Sequence, residues 1–119
     1  MGRIAHARSE ILPESALLTA GVNGDALLIN ANAESIILEH IVSSHTDGTF
    51  QIKLQESSDK TVWHDVASTT STGLSGNGRE LVKVSADLLQ WLRVVVLVTG
   101  SPATGAKNQV NIHFTSIRK

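Results

Sequence analysis

The sequence predicts an all-β fold, an antiparallel β-sandwich of jelly-roll-like type with about eight strands. Three observations carry this expectation. Apolar and polar residues alternate with a period of two, as in Phe50-Gln51-Ile52-Lys53-Leu54-Gln55 and Val110-Asn111-Ile112-His113-Phe114. The longest apolar segments, Ser35–Val42 and Trp91–Val98, are rich in β-branched valine and isoleucine, which favour strands over helices. Turn residues recur about every 8–12 positions.

Along the chain, residues 1–24 read as an amino-terminal arm or an edge strand, broken by Pro13 and by Gly21-Val22-Asn23-Gly24, and residues 25–119 as the sandwich domain. Strands are expected at roughly 11–18, 25–30, 35–43, 49–56, 61–66, 80–84, 91–99 and 108–117. The nearly continuous apolar strands, 35–43 and 91–99, suit interior positions in a sheet, or an outer face covered by another subunit. Thr46-Asp47-Gly48-Thr49 carries an Asp-Gly hairpin signal. Ser57-Ser58-Asp59-Lys60 makes the next turn, leading to a short strand in which Trp63 is expected to plug the core. The serine- and threonine-rich stretch from Ser68 to Arg79 reads as a solvated connection. Ser85-Ala86-Asp87-Leu88-Leu89 reads as one helical turn capped by Ser85.

Composition narrows the function. The 119 residues make one domain, long enough to bury a core without disulfides, and there is no cysteine to form them. Ten basic and eleven acidic residues give a formal charge of -1, which argues against a nucleic-acid binder with a broad basic surface. The run Val94–Val98 is too short to span a bilayer, and Met1–Arg8 lacks the apolar core of a signal peptide. Phe50, Trp63, Trp91 and Phe114 are too few rings for a stacking platform of the kind that grips glycans or single strands.

No catalytic or metal set emerges, and no cofactor is expected. His40, His45 and Asp47 are close in sequence, but strand geometry puts positions 40 and 45 on opposite faces. His64 and Asp65 lie near many serines, yet no Gly-x-Ser-x-Gly elbow is present to hold a nucleophile. Gly73-Leu74-Ser75-Gly76-Asn77-Gly78 is followed by a strand-like segment rather than the helix that a phosphate loop requires. Arg93, set among Leu92, Val94 and Val95, must reach water or a carboxylate.

Two segments carry a family resemblance. Leu54-Gln55-Glu56-Ser57-Ser58-Asp59 followed by Thr61-Val62-Trp63-His64-Asp65-Val66, and Leu92-Arg93-Val94-Val95-Val96-Leu97-Val98-Thr99-Gly100-Ser101-Pro102, resemble small β-sandwich virion structural proteins of tailed phages. The chain departs from that pattern at Lys60, where such proteins often carry glycine. The resemblance implies a non-enzymatic head decoration (cement) protein. It would be made in the host cytoplasm and sit on the capsid surface, with the major capsid protein as partner and a homo-oligomer, such as a trimer, as its state. It implies neither membrane nor direct nucleic-acid binding. The expected contact residues are Arg3, Ile4, Arg8, Ile11 and Leu12 in the arm, and Trp91 and Arg93 on the apolar strand. A neck, tail or baseplate component, or a carbohydrate-binding sandwich, is the alternative.

Overall fold

The computed structural model describes residues 3–13, 16–28, 33–84 and 88–118. Among them the chain is all strand and loop: β1 (Arg3–Leu12), β2 (Val22–Asn23), β3 (Leu27–Leu28), β4 (Ala33–Ser43), β5 (Thr49–Ser57), β6 (His64–Asp65), β7 (Gly78–Val84), β8 (Trp91–Thr99) and β9 (Lys107–Arg118). No helix of the described residues is long and apolar enough to cross a membrane. The helical turn expected at 85–89 begins outside the described residues.

Four antiparallel ladders nest inside one another: β5 with β6, β4 with β7, β2 and β3 with β8, and β1 with β9. The innermost closes through residues 58–63. Folding this long hairpin over itself brings β5 against β8 and β4 against β9. Two sheets result, ordered β1-β9-β4-β7 and β2-β8-β5-β6, with β3 also paired to β8. Nested pairing of this kind makes a jelly roll. The domain is elongated, 52 × 29 × 22 Å.

The core lies between the sheets and is almost wholly aliphatic. The first sheet contributes Ile11, Leu12, Ile36, Leu38, Val42, Val82, Val110 and Ile112; the second contributes Phe50, Ile52, Leu54, Leu92, Val94 and Val96. Period-two alternation explains the selection, since β5 and β8 bury every second residue. The two most apolar strands are interior in their sheets: β4 lies between β9 and β7, and β8 between β2 or β3 and β5.

Several local expectations change. The first strand is Arg3–Leu12, not 11–18; its ladder ends where Leu12 meets Val110, one residue before Pro13, which has no amide to donate. Thr46–Thr49 does not close a hairpin, because β4 and β5 belong to different sheets. Instead Asp47 accepts the amides of Ala103, Thr104 and Gly105 at 2.7, 3.1 and 2.6 Å, tying one inter-sheet connection to another. The stretch from Ser68 to Arg79 is a solvated connection only in part, with most of its residues exposed and two turned inward. Thr69 and Ser71 are only 2% and 5% exposed, and they close the free side of β5.

Candidate functional site

The innermost ladder, its turn and the outer face of the second sheet hold a dense set of polar contacts. The turn after β5 is built by two short side chains. Ser57 Oγ accepts the amides of Asp59 and Lys60 at 3.2 and 3.0 Å, and Asp59 Oδ1 accepts those of Thr61 and Val62 at 2.9 and 3.0 Å. The amides of Val62 and Thr61, with the Ser57 hydroxyl, hold the Asp59 carboxyl below its ordinary value. Lys60 takes φ 64°, the left-handed region where glycine is at ease.

From the turn, an alternating ladder of charge and ring runs across the sheet. The Lys60 ammonium sits 4.7 Å from the centre of the Trp91 ring, and the Arg93 guanidinium 4.4 Å from that of Trp63. Arg93 Nε donates to Gln55 Oε1 at 2.8 Å, and Gln55 Nε2 donates to Asp65 Oδ1 at 2.8 Å. Lys53 completes the row, 3.1 Å from Asp65. The Gln55 hydrogen bond and then Lys53 lower the Asp65 pKa.

This corrects the placement of Trp63. The tryptophan is half-buried on the outer face rather than in the core. The reason is parity: Asp65 pairs with outward-facing Gln55, so Trp63 faces outward too, and Val66 takes the core position. Arg93 is satisfied by an amide oxygen and an indole face rather than by a carboxylate.

The first sheet carries a smaller cluster on its outer face. Glu39 accepts from Asn111 Nδ2 at 3.0 Å and His113 Nε2 at 3.1 Å, and pairs with Arg79 at 3.1 Å. The Asn111 hydrogen bond and then that of His113 keep its carboxyl below the ordinary value.

The residues singled out for chemistry serve the scaffold. His40 is fully buried in the core, donating from Nε2 to Asn108 Oδ1 at 2.7 Å. Its Nδ1 has no hydrogen-bond partner among the described residues. His45 lies past the end of β4 and donates from Nε2 to the Gly48 carbonyl at 2.8 Å. Ser71 Oγ accepts the Ile52 amide at 2.9 Å, Thr69 Oγ1 accepts the Leu54 amide at 3.1 Å, and the amides of Phe50 and Leu74 exchange bonds with each other's carbonyls. Among the described residues no three His, Asp or Glu side chains converge as a metal set would.

The contact residues expected from sequence are scattered. Ile11 and Leu12 are core, at 2% and 8% exposure. Arg3, Ile4 and Arg8 lie on β1 opposite Arg118, Ile117 and His113. Trp91 and Arg93 share the outer face of β8. What the alternation pattern missed were the buried hydroxyls of Thr69 and Ser71 and the carboxylate of Asp47. Their role depends on which backbone amides lack a strand partner, and only the topology reveals that.

The same fold occurs in chains of virus particles. Over 97% of its length the chain superposes on 31% of a chain from the T13 IBDV viral particle, with a TM-score of 0.54 and 11% identity. Over 98% it superposes on 33% of a chain from infectious bursal disease virus, Gx strain, with a TM-score of 0.52 and 11% identity. It therefore spans about a third of those viral chains. The SPBc2 prophage-derived protein YomS matches at a TM-score of 0.59 and 8% identity, over 96% of each chain. No family model matches the sequence, and no curated protein matches it. At such low identities these likenesses establish a common fold.

Proposed function

We propose that this chain is a non-enzymatic structural protein of a tailed-phage virion that binds the major capsid protein shell as a decoration (cement) protein. One observation carries the reading. The nested jelly roll, which builds capsid domains among other things, is shared along the whole chain with a prophage-derived protein and with segments of viral-particle chains. Ser71, Thr69, Asp47 and Asp59 each serve the scaffold, accepting amides at strand edges and turns. Copies of a small rigid sandwich, repeated by shell symmetry, hold on through many modest contacts, so that weak individual affinity becomes lasting occupancy. Bridging adjacent capsid subunits would then oppose the outward pressure of packaged DNA. Self-association, as a trimer for instance, would add to that bridging.

The test is to mix the purified chain with expanded tailed-phage capsids and with isolated tails. Co-sedimentation with capsids, together with a higher temperature of capsid disruption, is the expected result. Binding to tails alone would move the chain to a neck, tail or baseplate role, and binding to neither at micromolar protein would overturn the reading.

A further inference from the structure

We propose that the outer edge of β7 docks an extended acidic segment of another protein by adding it as a fifth strand to the first sheet. β7 ends that sheet, and among the described residues no backbone hydrogen bond reaches its outer side. Every second residue of such a strand turns an amide and a carbonyl outward, which makes a template for pairing. The contrast with β5 is informative. There the edge left by two-residue β6 is closed by Thr69, Ser71 and Leu74. At β7 the same loop reaches only a side chain, the amides of Thr72 and Gly73 donating to the Glu80 carboxylate at 2.9 Å each, and among the described residues no group closes the backbone of the β7 edge.

The side chains state the chemistry of the partner. Arg79, Leu81 and Lys83 stand in a row on the outer face, opposite Ile41, Glu39 and Ile37 of β4. Leu81 is 57% exposed, and Lys83 is exposed as well. The Arg79 side chain remains 63% exposed although its Nε is paired to Glu39. A second copy is a poor occupant. Antiparallel self-pairing centred on Leu81 sets Arg79 against Lys83 of the other copy, twice, and like charges directly opposite destabilise a ladder. A strand reading acidic, any, apolar, any, acidic matches the row: its carboxylates face Arg79 and Lys83 and its apolar residue covers Leu81. The inference stands on this edge alone and does not require a virion role.

The probe is the blocked peptide Thr-Asp-Thr-Val-Thr-Asp-Thr, titrated to millimolar concentration into the full chain and followed by amide chemical shifts. Shifts concentrated on β7 that weaken with added salt are expected. Lys83→Glu should weaken binding about two- to fivefold, the worth of one cross-strand charge pair, and should favour a peptide with lysine in place of aspartate. The Lys83 site is exposed, so this variant keeps the fold, which its own spectrum verifies. Shifts located elsewhere, equal affinity for the lysine peptide, or a dimer formed by the unliganded chain through β7 would overturn the proposal.

Discussion

Removing the two buried hydroxyls that close β5 tests the account of the sandwich most directly. Thr69→Val keeps the shape of the side chain but takes away the acceptor of the Leu54 amide and the donor to the Val66 carbonyl, a 2.7 Å bond. Ser71→Ala takes away the acceptor of the Ile52 amide. Each leaves a buried backbone donor unpaired, which costs about 1–3 kcal/mol. Both variants act on one loop, so together they cost about 2–5 kcal/mol rather than a strict sum. For a 119-residue chain the unfolding entropy is about 0.25 kcal/mol per kelvin, so the double variant should melt roughly 8–20 °C lower. The assay is urea unfolding with amide exchange followed at Ile52 and Leu54, and Thr70→Val, at an exposed neighbouring threonine, is the control. If the double variant loses under about 0.5 kcal/mol, the range of ordinary surface changes, or if the two amides exchange as in the control, the hydroxyls do not close the edge.

Three further outcomes follow from single positions. Burial holds His40 below its ordinary pKa of 6.5, so the unfolded chain takes up a proton that the folded chain resists. Stability should be full above that value and fall as pH drops from it toward the lowered folded-state value; His40→Gln, measured by urea unfolding between pH 5 and 8, should flatten this slope. Lys60→Gly relieves about 1 kcal/mol of left-handed strain but loses a cation–π contact worth about 0.5–1 kcal/mol, so it should be near neutral. In a Trp91→Leu background the same change should stabilise by about 1 kcal/mol, and an equal effect in both backgrounds would show that the ring contact contributes nothing. Gly105→Ala should be severe, beyond about 3 kcal/mol, because φ is +78° and the new Cβ would overlap the Leu18 carbonyl; a melting temperature within a few degrees of the parent would contradict the packing of Leu18 on this loop.

The strands were legible wherever alternation ran for a full ladder. The boundaries expected for β5, β8 and β9 lie within a residue of those formed, because Phe50-Ile52-Leu54, Leu92-Val94-Val96 and Val110-Ile112 each commit one face to the core. Partnership was not legible. Asp47-Gly48 has the chemistry of a tight hairpin, yet the chain crosses between sheets there, and the aspartate binds a loop more than fifty residues away. Trp63 failed for a related reason. A two-residue strand has no pattern of its own, so its facing is inherited from Gln55 through the register. The hydroxyls of Thr69 and Ser71 looked like solvated loop polarity because a serine's value as an edge-closing acceptor depends on a strand that ends early, namely β6.

The outward turn of Trp63 bears on where this molecule makes its contacts. With both tryptophans outside, the core is filled by aliphatic residues and Phe50, with Phe114 packed against its margin. On the outer face of the second sheet the rings are engaged by Arg93 and Lys60, and the polar groups by Gln55, Asp65 and Lys53. Such a face holds itself in place, and a partner laid over it would have to displace satisfied groups for little gain. An unpaired strand edge differs, because a docking segment satisfies backbone groups that have no backbone partner among the described residues, and the one internal contact it shares is the pair of exposed Arg79 with Glu39. Under the proposed role on a symmetric shell, the edge of β7 would be the economical place to attach, and the charged row beside it would select what attaches.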